Sequence, residues 1–278
     1  MRKIEVEELK KLEIEILDFF VHICENNGLT YFLSGGTLLG AVRHHGFIPW
    51  DDDIDVMMPR SDYEKLIKLF PAHPYYKFLY HGNTHNYPKP FGTINDCRTY
   101  KPESNIREKC RHILGVNIDV FPIDEIPDSK EEIHQYYSEL SNMANKMYCI
   151  TYSYTYKKSY WFTIKKYAGI TFYRTLEFFR IVSVDEIVRE YASLAQKYTG
   201  RGSSMCGVTT IGNYGAKEAN VAKEYFPIIK MQFENKEYDI PANYDSYLSG
   251  LYGDYMKLPP MEKRVAHHAV CFWKDINN

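Results

Sequence analysis

Apolar residues recur every three or four positions over 6–26, where Leu9, Leu12, Ile16, Phe20 and Ile23 form one stripe. That spacing predicts an amphipathic helix, stopped by Asn26-Asn27-Gly28. Residues 30–33 read as a short strand ending at Ser34-Gly35-Gly36, and 37–45 as a short helix ending at Gly46. Over 53–58 the period changes to two, so Asp53 and Asp55 share one face while Ile54 and Val56 pack inward. An extended start adds Asp51 to the acidic face and turns Asp52 away. Ser61 with Glu64 reads as a capping box for a helix to about residue 70, ended by Pro71. Strand-like pieces follow at 77–81 and 91–96, and 113–123 is an apolar strand with a single acid, Asp119. Two further capping boxes, Ser129 with Glu132 and Ser183 with Glu186, open helices to about 147 and 199. Residues 228–233 and 237–240 suit a hairpin, and a last helix runs from 243 to near Gly253.

These elements predict an α/β (α+β) chain, with a sheet-bearing part over 1–124 and a mostly helical, aromatic-rich part over 125–278. A length of 278 residues is enough for a large core in one elaborated domain or two. A formal net charge of −2 lacks the basic footprint of nucleic-acid binding, so no nucleic-acid partner is expected. The six cysteines are scattered without a Cys-x-x-Cys pair, which predicts reduced thiols; Cys110-Arg111-His112 reads as structural or incidental. The start is acidic and amphipathic, unlike a signal peptide, and no apolar run nears the ~18 residues of a span, so a cytoplasmic location is expected. The outlying count is 25 tyrosines, which fits an aromatic cleft without singling out any one ring.

Candidate chemistry concentrates in Phe32 to Arg60, FLSGGTLLGAVRHHGFIPWDDDIDVMMPR. Carboxylates at Asp51, Asp53 and Asp55 repel one another, and a divalent cation removes that conflict. Oxygen-only ligands suit Mg²⁺, or alternatively Mn²⁺. Glycine lets a backbone approach a ligand closely, so Ser34, Gly35 and Gly36 place amides at a helix start, where the dipole favours phosphate. Arg43, with His44 and His45, is a candidate phosphate contact, and the other reading is a solvated helix end. Trp50 either walls the site or anchors its loop in the core.

A Gly-Gly turn followed by an Asp-x-Asp strand resembles the nucleotidyltransferase superfamily, which implies a third acid on a neighbouring strand; Asp119 fits. The block GGTLLGAVRHHGFIPWDDDID is similar to the LicD family, as are Ile118–Asp124 (IDVFPID) and Tyr252–Pro260 (YGDYMKLPP) with Lys263, Arg264 and His267. The resemblance runs from about Thr30 to His268 and implies a nucleotidyltransferase-like mixed sheet flanked by helices. It further implies metal-dependent transfer of phosphocholine from a CDP-choline-type donor to a sugar hydroxyl of a cell-surface glycan precursor, of teichoic acid or lipopolysaccharide type. Other phospho-groups, such as phosphoethanolamine or an alditol phosphate, and a non-catalytic nucleotide- and metal-binding protein are the alternatives. Asp53 and Asp55 would hold the metal, Asp51 would join them or stand behind, and Asp119 would be either a ligand or the general base, with Asp124 a weaker competitor. Basic and aromatic residues mix over 148–180, with Lys157, Lys158, Lys165, Lys166, Arg174 and Arg180 against one acid, Glu177. That mixture suits either a peripheral contact with an anionic membrane carrying a lipid-linked acceptor or a packed helical subdomain.

Overall fold

A computed structural model of the chain describes residues 1–278 except 104, 112–113, 154–159, 212–213, 265–268 and 276–278, and the backbone alone of 160–166. Strand β1 (Arg2–Ile4) leads into helix α1 (Val6–Asn27), whose stripe residues Leu9, Leu12, Ile16, Phe20 and Ile23 are all buried. Each such burial stabilises by roughly 1.5–3 kcal/mol. Gly28 ends the helix in the left-handed conformation, φ 61°, that its lack of a Cβ allows. Strand β2 (Phe32–Leu33) turns at Ser34 into helix α2 (Gly35–His44), and the acidic stretch enters strand β3 (Asp55–Pro59). Helix α3 (Arg60–Leu69) follows at once, and here the expected capping box does not form. Pro59, with φ near −52°, takes the cap position, Ser61 falls inside the first turn, and Glu64 pairs with Arg60 at 3.3 Å.

Strands β4 (Tyr76–Leu79), β5 (Gly92–Asp96) and β6 (Thr99–Tyr100) and the short helix α4 (Glu108–Arg111) lead to the central strand β7 (Asn117–Glu125). The main sheet runs β2-β3-β7-β5-β4, and among the described residues β3 with β7 is its one parallel pairing. A proline at position 122 of a central strand needs a reason. The Asp119 N–H donates to Ile54, so alternation turns the N–H groups of even-numbered residues towards the opposite edge. On that edge β5 pairs only as far as Val120, and the next partner begins at Ile123. Pro122 falls in the gap, where no ladder bond is lost.

Beyond residue 124 come helices α5 (Lys130–Thr151), α6 (Tyr160–Phe178) and α7 (Val184–Ala195). The Ser129 and Ser183 hydroxyls accept the N–H groups of Glu132 and Glu186, as their capping boxes require. Strand β8 (Met205–Val208) pairs with the end of β7, β9 (Asn220–Val221) pairs with β8, and helix α8 (Ala222–Tyr225) follows. A hairpin of β10 (Ile228–Phe233) and β11 (Lys236–Pro241), helix α9 (Tyr244–Tyr252) and strand β12 (Cys271–Trp273), which lies between β1 and β6, complete the order. One hydrophobic core surrounds the main sheet and α1; a second forms between α5 and α7 with Ile106 and Cys110. All six cysteines are free.

Candidate active site

The glycine turn and the acidic strand are stitched together by backbone and one buried hydroxyl. The Ser34 N–H donates to the Asp55 carbonyl at 3.0 Å. Thr37, buried in the first turn of α2, accepts the Asp55 N–H at 2.8 Å and donates to the Asp53 carbonyl at 3.4 Å. Gly35 opens α2 at φ 49°, a conformation that costs a residue with a Cβ. A Cβ on Gly36 would stand 3.1 Å from Asp51 Oδ2, so this glycine gives the carboxylate room. The Ser34 hydroxyl does not cap the helix; it lies 3.5 Å from the Tyr247 hydroxyl.

Ser34, Gly35, Gly36, Asp53, Asp55 and Asp119 all line one cavity of about 360 Å³. Asp55 and Asp119 are register partners in the adjacent parallel strands β3 and β7, which sets their side chains on the same face. Burial, then the charges of Asp53 and Asp119, push the Asp55 carboxyl well above the usual range. Burial and then Asp53 push Asp51 up to about 7. Asp52 turns away as expected: it is 3% exposed and accepts the Ala269 N–H at 2.8 Å.

Lys89 escaped the sequence reading. Its ammonium lies 2.9 and 3.0 Å from the two oxygens of Asp119, which also accepts from the Asn117 amide at 2.8 Å. A lysine between Pro88 and Pro90, just before a strand, was the only available signal. Much of the remaining wall is aromatic, with Tyr148, Tyr152, Tyr191, Tyr214, Tyr247 and Tyr252 in it. Glu218 also lines it, and burial pushes this carboxyl up to about 8, opposed by the Tyr247 hydroxyl.

Other candidates lie elsewhere. Arg43 is not among the cavity-lining residues; it donates to the Tyr255 carbonyl at 2.6 Å and to the His44 ring at 3.0 Å. His45 is exposed at the C-terminal end of α2. Trp50 packs against the main core beneath the Arg264 guanidinium, 5.5 Å from its ring centre, so it anchors the loop rather than walling the cavity. Asp124 is excluded as a base: it is fully buried and held by Arg60 at 2.6 and 2.9 Å and by the Thr209 hydroxyl at 2.6 Å. Five residues is an odd spacing along a strand, so Asp124 faces the opposite side of the sheet from Asp119. Lys263 is exposed. His267, Lys157, Lys158, His112 and the side chains of Lys165 and Lys166 lie outside the described residues.

The donor set fits a hard divalent cation by its chemistry: carboxylate oxygens share one cavity, and burial, then crowding by neighbouring carboxylates, raises the pKa of Asp51 and Asp55. Among the described residues no three His, Cys, Asp or Glu side chains are already gathered as a ligand group, and the Lys89 ammonium occupies Asp119. The arrangement can bind and polarise a phosphate next to an aromatic compartment.

Residues 28–168 match the profile of the LicD/FKTN/FKRP nucleotidyltransferase domain. The chain is 29% identical over 272 residues to the lipopolysaccharide cholinephosphotransferase LicD of Haemophilus influenzae, covering 96% of this chain and 97% of that protein. It is also 48% identical over 42 residues to the human ribitol 5-phosphate transferase FKRP, 15% of this chain and 8% of that protein.

Proposed function

The chain belongs to the LicD/FKTN/FKRP nucleotidyltransferase-domain family and is a phosphotransferase; we propose that it moves phosphocholine from CDP-choline to a sugar hydroxyl of a cell-surface glycan precursor. In that reaction the acceptor oxygen bonds the phosphorus of the phosphocholine unit, the bond from that phosphorus to the bridging oxygen of CMP breaks, and CMP and a proton leave. The observation that carries this reading is the register of Asp55 against Asp119 in the cavity that also holds the turn at Ser34, Gly35 and Gly36. Asp53, Asp55 and Asp119 would hold a Mg²⁺ or Mn²⁺ ion, with Asp51 beside them, and the ion supplies the Lewis acidity that steadies charge on the transferring phosphoryl oxygens. The shared face of Asp55 and Asp119 favours Asp119 as a ligand over Asp119 as the base.

The Ser34 N–H is committed to Asp55, so the donor phosphate is left to Gly35, Gly36 and the dipole of α2. The tyrosine wall supports a cationic substituent, since aromatic faces attract quaternary ammonium groups. A nucleotide-activated donor places the reaction in the cytoplasm, at the inner face of the membrane when the acceptor is lipid-linked; among the described residues no helix is long and apolar enough to cross it. Initial rates with CDP-choline, CDP-ethanolamine and CDP-ribitol, each with Mg²⁺ and a glycan acceptor, test the assignment. CDP-choline is expected to be fastest. A faster rate with either competitor replaces the substituent, and no transfer from any of the three overturns the reading.

A further inference from the structure

We propose that Lys89 is the residue that grips the donor phosphate, parked on Asp119 until a divalent cation claims that carboxylate. The inference rests on the metal-dependent, CDP-donor reading of the same site and adds the cation that this reading leaves unassigned. Lys89 is the single cationic side chain among the described residues lining the cavity, against Asp53, Asp55, Glu103, Asp119 and Glu218. Arg43, the other candidate, is directed to the Tyr255 carbonyl.

The pairing with Asp119 is close and partly sheltered, with side chains 17% and 20% exposed, so the contact is well formed. Yet an ammonium shared between both carboxylate oxygens stands where a metal ligand must be free. Two cations on one carboxylate repel across a few ångströms, and the lysine is the one on a flexible four-carbon stem. Pro88 and Pro90 flank it and restrict the backbone, so the ammonium rather than the loop changes partner. The neighbouring ring of Phe91, 5.3 Å from the ammonium, offers a second favourable face along that swing. A donor diphosphate entering beside Gly36 is then the anion within its reach, and lysine serves phosphate well as a point charge.

The proposal makes two binding changes of opposite sign, which a merely structural role would not. Calorimetry on the whole chain would compare wild type, Lys89→Gln and Lys89→Arg, first with Mg²⁺ alone and then with CDP at saturating Mg²⁺. Lys89→Gln is expected to bind Mg²⁺ about tenfold tighter and CDP about tenfold more weakly, the scale of one charge-assisted contact. Lys89→Arg, which keeps the charge, is expected to recover most of the CDP affinity. Unchanged or weaker Mg²⁺ binding by Lys89→Gln, or unchanged CDP binding, overturns the role of Lys89 while leaving the metal-dependent reading intact. A wild type that binds CDP without any need for Mg²⁺ overturns both.

Discussion

Asp119 sits opposite Asp55 on a neighbouring strand, and that pairing decides what its loss should do. A residue that only takes a proton leaves donor binding intact when it is neutralised, whereas a ligand does not. Asp119→Asn is therefore expected to lose metal-dependent CDP binding about as severely as Asp55→Asn, by calorimetry. Retained binding with slow transfer would instead make Asp119 the base. The acids were legible because alternation of Asp and aliphatic residues fixes which side chains share a face. Asp124, kept in the sequence reading as a competitor of Asp119, stands on the far side because β7 runs unbroken between them and their spacing is odd. Lys89 was not legible: a lone lysine carries no period, and only the approach of β5 to β7 brings it to Asp119.

Among the elements, α1, the two helices with formed capping boxes and the hairpin followed from local rules. Strands β1, β6, β8, β9 and β12 did not, because two to four residues give no periodicity and their pairing is set by distant partners. The start of α3 was misplaced by two residues because Pro59 outranked a side-chain cap. Helix α6 carries a testable consequence. Its end exposes Phe178, Phe179 and Ile181, at 81%, 66% and 63%, beside Arg180, while Glu177 is tied to Arg107 and Lys109. Apolar side chains beside a basic one suit an anionic bilayer. Vesicle flotation should show binding to anionic lipid that falls as salt rises. Equal binding to neutral vesicles, or none to either, would leave α6 as a packed subdomain alone.

Across the whole molecule, the cavity joins the two cores: Ser34 and the acids come from the sheet side, and Ala144, Met147 and Tyr191 from the α5–α7 cluster. Glu218 lies at this junction, and its raised pKa links folding to pH. The unfolded carboxyl titrates near 4.5 and the folded one near about 8, so the folded state holds the extra proton between them. The stability that this proton confers is complete below 4.5 and is lost as pH rises through 8. Glu218→Gln should thus lose less melting temperature than wild type between pH 6 and pH 9, and an equal loss would contradict the assignment. The central claim concerns the acids and their cation, and CMP release tests it most directly. With CDP-choline and a glycan acceptor, wild type is predicted to release CMP in Mg²⁺ and to stop in excess chelator, while Asp53→Asn and Asp55→Asn fall below about a hundredth of its rate, the scale expected when charge stabilisation of the transition state is removed. CMP release by either variant at a rate near wild type, or undiminished by the chelator, would contradict it.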